Sequence, residues 1–151
     1  MMQIKPLRPE SHYLSEVVSL WNENCVETAD CKLTNEEMKA IQQQLALCCR
    51  SDYGTVHIAL DGGQLVGYGV ASIKKDMVTQ GYMGLIDELY VVQEYRKRQV
   101  GQTIVNSLKK WLLAKDVSNI QVFVDLENIS AQTFWNNIGF SKEFYVVSED
   151  E

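Results

Sequence analysis

Residues 86–105 read IDELYVVQEYRKRQVGQTIV, and this stretch predicts a strand that passes into a long helix. Residues 82–92 are apolar on both faces, which is typical of a strand in the middle of a sheet. From Val100 onward the apolar residues recur at helical spacing, and the resulting stripe reaches Leu112. The stretch therefore predicts a central strand followed by an amphipathic helix.

Three consecutive basic residues, Arg96, Lys97 and Arg98, lie at the turn before this helix, in a chain with only 14 lysines and arginines. A helix N-terminus presents unpaired N–H groups and the positive end of the helix dipole, so a loop leading into it can bind phosphate. Residue type alone leaves two interpretations open, which are a diphosphate site and an ordinary solvated turn.

The rest of the sequence predicts an α/β domain with a mixed sheet. Its elements follow in the order strand, two helices, three strands, helix, strand, helix, strand. Beyond 82–112 we predict a strand at 3–8, helices starting after Ser11 and Thr34, a hairpin around 61–63, a buried strand IQVFVDL at 120–126, a helix at 129–138 and a last strand at 144–147. We expect residues 1–151 to form a single domain.

Composition and charge exclude several classes of protein. No apolar run approaches the roughly 20 residues that cross a bilayer, and MMQIKPLRPE lacks the order of a signal peptide, so we expect a cytoplasmic protein. A net charge of -6 argues against nucleic acid or an anionic membrane as partner. The four cysteines have no CxxC spacing, and we expect no metal site.

Two motifs resemble those of the GNAT acetyltransferases. LYVVQEYRKRQVGQTIVNSL, at 89–108, is similar to the acetyl-CoA motif, in which a strand is followed by Arg/Gln-x-x-Gly-x-Gly/Ala and an amphipathic helix. NISAQTFWNNIGF, at 128–140, resembles the later motif of Asn-x-x-Ala, an aromatic pair and Gly-Phe. The resemblance implies an acetyl-CoA-dependent N-acetyltransferase with six to seven strands in a mixed sheet and about four helices.

The resemblance also implies where acetyl-CoA binds. Its pantetheine arm would pair with the backbone around Tyr90, at Leu89 and Val91, where the central strand and the next strand splay apart. Asn128 would contact this arm or the substrate, although an asparagine there equally suits a helix N-cap. The residues implied for the diphosphate, through backbone N–H groups and basic side chains, are Arg96, Lys97, Arg98, Gln99, Val100, Gly101 and Gln102.

Two positions depart from the family pattern. Gln99 stands at the first glycine of the phosphate motif and places a side chain near the phosphates, so we expect weaker cofactor binding. Trp135 stands where the family commonly has a tyrosine that protonates the departing thiolate. An indole N–H is not a practical acid, so we expect Trp135 to pack and the proton to come from Tyr145, Tyr90 or water.

Asp87 and Glu88 interrupt the apolar strand just before the residues expected to pair with the cofactor. A primary amine with a pKa of about 10.4 must lose a proton before it attacks a thioester, and a carboxylate can accept that proton. Consecutive strand residues point to opposite faces, so only one acid faces the acceptor unless a bulge re-aims them. A structural ion pair or a strand-end hydrogen bond is the alternative interpretation.

These features predict direct acetyl transfer to a small cationic amine, polyamine- or aminoglycoside-like. The alternatives are a protein N-terminal or lysine acetyltransferase and a degenerate GNAT domain that binds CoA without catalysis. Only eleven residues follow Phe140, enough for one strand where GNAT domains usually add two. We therefore expect an open sheet edge and a homodimer that covers it.

Overall fold

Alternating apolar residues and a glycine turn give the middle of the chain an antiparallel arrangement of strands. The computed structural model describes residues 2–150. Its elements are β1 (Met2–Pro6), α1 (Tyr13–Ala29), α2 (Asn35–Arg50), β2 (Gly54–Asp61), β3 (Gln64–Lys75), β4 (Tyr82–Val91), a 3-10 turn (Gln93–Tyr95), α3 (Val100–Ala114), β5 (Val117–Val122) and α4 (Ile129–Asn137).

The five strands form one sheet in the order β1-β2-β3-β4-β5. The first four pair antiparallel with their neighbours, and β5 runs parallel to β4 after the α3 crossover. Gly62 and Gly63 both have positive φ, which suits the two-residue turn between β2 and β3. The predicted mixed sheet, the hairpin and the central position of the 82–92 strand are confirmed.

The sheet has a hydrophobic cluster on each face. α1 and α2 cover one face, where Val17, Leu45 and Tyr68 are buried. α3 covers the other face, where Ile104 and Leu108 are fully buried. Within residues 2–150, no helix is long and apolar enough to span a membrane.

Two expectations about the strands are wrong. Residues 144–147 form no strand, so the described sheet has five strands where six to seven were expected. Their side chains are exposed, and a segment that buries little apolar surface cannot offset the entropy cost of ordering. The strand predicted at 120–126 runs instead from Val117 to Val122 and, with β4 alone beside it, is an edge strand.

Gly69 of β3 determines how closely α3 approaches the sheet. A Cβ atom at this position would lie 2.7 Å from side-chain carbons of both Ile104 and Leu108. We expect Gly69→Ala to lower the free energy of unfolding by about 1–3 kcal/mol, because overpacking displaces these neighbours. Gly81→Ala is the matched control, since its Cβ meets nothing closer than the Thr79 hydroxyl at 3.5 Å. Urea denaturation of both variants tests this, and equal losses would contradict it.

Candidate active site

A cleft opens beside β4 because its pairing with β5 is incomplete. The parallel pairing runs from Tyr82 opposite Val117 to Ile86 opposite Val122, where β5 ends. β4 continues to Val91 and stays paired with β3 along this length, up to Gly67 opposite Val91. The second half of β4 therefore has a strand on one side only.

The backbone of Val91 points into this cleft. The N–H of Val92 donates to the carbonyl of Val66 at 2.9 Å, on the β3 side. A trans peptide directs its carbonyl and its N–H in opposite directions, so the Val91 carbonyl points away from β3. Leu89, two residues earlier, shares this orientation. The structure thus presents both residues as the resemblance implies, although the binding of a pantetheine arm there remains a prediction.

The N-terminus of α3 presents free backbone donors next to the cleft. The first intrahelical hydrogen bond runs from the N–H of Thr103 to the carbonyl of Gln99 at 3.0 Å. The N–H groups of Val100, Gly101 and Gln102 precede it and have no helical carbonyl to reach. The first turn carries no acidic residue, so nothing within it opposes the positive end of the helix dipole.

Gly101 connects the two motifs of the sequence. A Cβ atom at this position would lie 3.2 Å from Cε1 of Phe134 on α4. Real Cβ atoms rarely come this close to a neighbouring atom, so a side chain here would require the Phe134 ring to shift by a few tenths of an ångström. The aromatic pair of the later motif therefore packs directly on the helix start of the earlier one.

Arg96 does not extend towards the start of α3. Its Nε donates to the Val91 carbonyl at 2.9 Å, and its two Nη atoms bind both carboxylate oxygens of Glu27 on α1. The guanidinium also lies over the Tyr90 ring, 5.4 Å from its centroid. The hydrogen bonds from Arg96 hold the pKa of Glu27 below its usual range.

Arg98 and Lys97, the other basic residues of the turn, take no part in the contact between Arg96 and Glu27. The Arg98 guanidinium stacks on the Tyr95 ring at 5.0 Å, and the Tyr95 hydroxyl donates to Asp61 at 2.7 Å. Arg98 also lines a groove of about 360 Å³ that reaches Gln99, Val100 and Thr103 at the start of α3. Lys97 is exposed and has a positive φ of 62°. Arg98 is thus placed beside the helix start.

A β-bulge in β4 brings the two candidate acids to the same face of the sheet. Glu88 lies opposite Val70, while Ala71 lies opposite Ile86, so that Asp87 is the extra residue between them. A regular strand would point Asp87 and Glu88 to opposite faces. A bulge is the irregularity that we named from the sequence as the way in which both acids could face the same side.

The hydrogen bonds of the two acids show this shared face. Glu88 Oε1 accepts a hydrogen bond from Asn24 of α1 at 2.7 Å and from the Tyr68 hydroxyl at 3.4 Å. Asp87 Oδ2 accepts from the Ser72 hydroxyl at 2.7 Å. Tyr68 and Ser72 alternate on one face of β3, which is the face that α1 and α2 cover.

Burial raises the pKa of the Glu88 carboxyl, and the hydrogen bonds from Asn24 and Tyr68 only partly oppose this. Burial also raises the pKa of Asp87, against the hydrogen bond from Ser72, although residue 87 keeps solvent contact. Neither acid faces a basic partner in an ion pair within residues 2–150. The structural ion pair considered from the sequence is therefore absent there, whereas both carboxylates do accept hydrogen bonds, as the other structural alternative had it.

Three residues of α1 belong to this site and were missed from the sequence. Glu23, Asn24 and Glu27 lie on one side of the helix at spacings of three and four residues. The Tyr90 hydroxyl donates to Glu27 at 3.1 Å and to Glu23 at 3.5 Å. Burial and the neighbouring Glu27 raise the pKa of Tyr90 to about 12. The spacing of these polar residues on an amphipathic helix is the feature of the sequence that could have identified them.

Two residues of the later motif have structural contacts. Asn128 is the N-cap of α4, and its Oδ1 accepts from the Ala131 N–H at 3.0 Å. Its contact with cofactor or substrate remains a prediction. Trp135 is buried and packs edge-on against Phe134 and Phe140, with ring centroids 5.1 Å apart in each case. The packing that we expected of Trp135 is observed.

The comparison with protein families agrees with these motifs. The model of the acetyltransferase (GNAT) family matches residues 16–140, and the chain belongs to this family. Its members are acetyl-CoA-dependent N-acetyltransferases, so the family, the enzyme class and the cosubstrate predicted from the sequence are confirmed at the level of the family. A comparison with curated proteins found no match.

Solved structures share the fold at low sequence identity. The aminoglycoside N-acetyltransferase AAC(6')-Iy was solved with the bisubstrate analogue CoA-S-monomethyl-acetylneamine. It is 18% identical to this chain with a TM-score of 0.82, and the match covers 100% of this chain and 98% of that chain. A possible acetyltransferase from Clostridium difficile 630 is 18% identical, with a TM-score of 0.83 and coverage of 100% and 97%. A transcriptional regulator from Bacillus halodurans C-125 is 12% identical, with a TM-score of 0.85 and full coverage of both chains.

The left-handed backbone at Gln99 carries a stability cost that glycine would relieve. Gln99 has a φ of 65° at the N-cap of α3, a conformation that disfavours residues with a Cβ. We expect Gln99→Gly to raise the free energy of unfolding by about 0.5–1 kcal/mol. Gln102→Gly, three residues on and inside the helix, is the matched control and should lower it by about the same amount. Thermal and urea unfolding measure both, and a destabilised Gln99→Gly variant would show the prediction to be wrong.

Proposed function

We propose that this chain transfers the acetyl group of acetyl-CoA to a primary amine of a small cationic acceptor, polyamine- or aminoglycoside-like, by direct attack. The observation that carries this proposal is the bulge at Asp87, which places two carboxyl groups on one face of β4 beside the cleft. Negative charge at this position attracts an ammonium group and can also accept its proton.

The residues of the cleft fit the cosubstrate in two parts. The backbone of Leu89 and Val91 has no strand beside it on the β5 side, and an extended pantetheine arm could pair there once the Arg96 side chain leaves the Val91 carbonyl. The N–H groups from Val100 to Gln102, together with the nearby Arg98, offer donors and positive charge to a diphosphate. Acetyl-CoA, when bound, supplies the thioester that the amine attacks.

Glu88 is our choice for the proton acceptor. Its raised pKa makes the carboxylate a stronger base than an exposed glutamate, and Asn24 holds one of its oxygens in place. As the C–N bond forms and the C–S bond breaks, the amine proton passes to Glu88 directly or through water. Asp87, on the same face and more exposed, would hold the ammonium group beforehand.

The proton for the departing thiolate has few sources. Trp135 is packed among aromatic rings and has no acidic proton to give. The Tyr145 side chain is exposed on residues 141–150, whereas Tyr90 lies on β4 directly before Val91. We therefore favour Tyr90 or water as the donor.

The surroundings of the cleft support a cationic acceptor. Glu23 on α1 lies beside the Tyr90 hydroxyl and adds negative charge on the side of the two candidate acids, whereas the charge of Glu27 is paired with Arg96. AAC(6')-Iy, which shares this fold, is itself an aminoglycoside N-acetyltransferase. At 18% identity this likeness shows the fold alone, so the proposed acceptor rests on the acidic residues of this chain.

Release of CoA thiol, measured against polyamines, aminoglycosides, amino acids and peptides, tests the proposed reaction. We expect turnover with the polycations, and Glu88→Gln should lower kcat/KM by roughly 10²–10⁴-fold because it removes the proton acceptor. Glu36→Gln, an exposed change on α2, is the matched control and should leave kcat/KM unchanged. Turnover with peptides alone would favour a protein acetyltransferase. Binding of CoA without turnover of any amine would favour a non-catalytic domain.

The pH profile separates a base from a structural residue. The carboxylate must be ionised to accept a proton, so kcat/KM should fall as the pH drops through the raised pKa of Glu88, above the ordinary value of 4.5. This acid limb should disappear in Glu88→Gln and persist in Asp87→Asn. An unchanged limb in Glu88→Gln would assign the base elsewhere.

The Arg96–Glu27 pair should compete with the cosubstrate. Arg96 occupies the Val91 carbonyl, which a pantetheine arm would need, and Glu27 holds Arg96 there. We expect Glu27→Gln to loosen Arg96 and to lower the Kd for CoA several-fold in calorimetry, since a neutral amide binds a guanidinium less strongly. Glu23→Gln, which leaves the contacts of Arg96 intact, is the control. A weaker affinity for CoA in Glu27→Gln would contradict this competition.

A further inference from the structure

The two carboxylate oxygens of Glu88 have different surroundings. Both hydrogen bonds that the described residues make to this carboxylate end on Oε1, from Asn24 Nδ2 at 2.7 Å and from the Tyr68 hydroxyl at 3.4 Å. No half-buried side chain within residues 2–150 contains a buried oxygen without a partner, so Oε2 keeps contact with solvent. The protein thus holds one oxygen and leaves the other accessible.

The register of β3 and β4 places Tyr68 within reach of Glu88. Val70 lies opposite Glu88 and Tyr68 lies opposite Tyr90, so Tyr68 is a diagonal neighbour of Glu88 on the face that α1 and α2 cover. Diagonal neighbours lie about 7–8 Å apart, which long side chains can bridge. The hydroxyl of Tyr68 makes its only hydrogen bond among the described residues with Glu88.

The core restricts the Tyr68 ring. Its side chain is fully buried, and Trp21 of α1 stacks on it with ring centroids 5.9 Å apart and planes tilted by 15°. The Tyr90 ring lies 6.3 Å away. A ring packed in this way has few alternative positions, so the packing fixes where its hydroxyl lies.

α1 supplies the second donor from the same side of the helix. Trp21 and Asn24 are three residues apart and are therefore neighbours on the helix surface. Trp21 packs on the Tyr68 ring while Asn24 donates to Glu88. The position of α1 therefore sets both donors relative to Oε1.

We propose that Asn24 and Tyr68 are positioning residues, which hold Oε1 of Glu88 so that Oε2 is the oxygen that accepts the amine proton. As the amine nitrogen bonds to the thioester carbon and the C–S bond breaks, the N–H proton passes to Oε2 directly or through water, and the CoA thiolate leaves. Oε1 keeps its two hydrogen bonds, so the carboxylate does not have to reorient during the reaction. This inference rests on the proposed function.

Three titratable groups among the described residues interact with Glu88 from the elements around it. They are Asp87 on β4, Tyr68 on β3 and Cys25 on α1. Burial raises the pKa of Tyr68 and that of Cys25 above their ordinary values of 10.0 and 9.0, so both groups stay neutral at acid pH. Only Asp87 could add a second ionisation to the acid limb of the pH profile, and Asp87→Asn removes it.

The acid limb of kcat/KM tests the positioning role. Both donors favour the ionised carboxylate, so losing either one raises the pKa of Glu88 and should move the limb to higher pH. Asn24→Ala should lower the plateau of kcat/KM about tenfold and Tyr68→Phe about threefold, since the bond from Asn24 is the shorter one. Alanine favours helices and phenylalanine fills the same space, so we expect both variants to fold.

Tyr13→Phe is the matched control for this test. It removes a hydroxyl that donates to the Gly63 carbonyl at 2.6 Å, away from the site, and should leave the acid limb in place. Residues that only support the fold would lower activity or stability without moving the limb. A limb that stays at its wild-type pH in both Asn24→Ala and Tyr68→Phe would overturn the proposal.

NMR of ¹³C-labelled glutamate carboxyl groups measures the same change without turnover. The signal of Glu88 is identified by its loss in Glu88→Gln. We expect its titration midpoint to move to higher pH in Asn24→Ala and in Tyr68→Phe, and to stay in place in Tyr13→Phe. An unmoved midpoint in both variants would overturn the positioning role while the proposed reaction stands. Midpoints that move in a protein that acetylates no amine would overturn the proposed function, and the role of Oε2 with it.

Discussion

Backbone hydrogen bonds join β4 to β5 only as far as Ile86 and Val122, and beyond that point β4 has a partner on one side. Backbone groups next to a protein core are costly when nothing pairs with them. In the structure, the Arg96 guanidinium meets the exposed carbonyl of Val91. This early end of one strand opens the cleft and leaves the Val91 carbonyl to Arg96, while the pairing of β4 with β3 sets the orientation of Leu89 and Val91.

Close packing fixes the start of α3 relative to β3 and to α4. Gly69 lets α3 lie close against β3, and Gly101 lets Phe134 of α4 lie close against the start of α3. The free N–H groups of α3 are therefore held by the core and by the later motif together. On the opposite face, the bulge at Asp87 turns a second carboxyl group towards α1 and α2. The irregular strand β4 thus provides both the backbone proposed to bind the pantetheine arm and the two candidate acids.

The sequence predicted what depends on local pattern. Short-range periodicity and turn chemistry predict the central strand, the hairpin at Gly62 and Gly63, the helix that starts after Thr34 and the possible N-cap at Asn128, and the structure contains them. Features that depend on contacts between distant parts of the chain could not be predicted from the sequence. The bulge depends on the register between β3 and β4, and the contact of Arg96 with Glu27 joins residues far apart in the chain. Residues 144–147 have strand composition, yet they pair with no strand among the described residues, and local composition alone could not reveal this.

The central claim is that the start of α3 binds a diphosphate while β4 binds the arm attached to it. Titration calorimetry that compares CoA with pantetheine, which keeps the thiol arm and lacks the diphosphate, tests this claim most directly. We predict that CoA binds at least about 100-fold more tightly, because pantetheine leaves the helix N-terminus and Arg98 without an anion. Equal affinity for the two ligands would contradict the account.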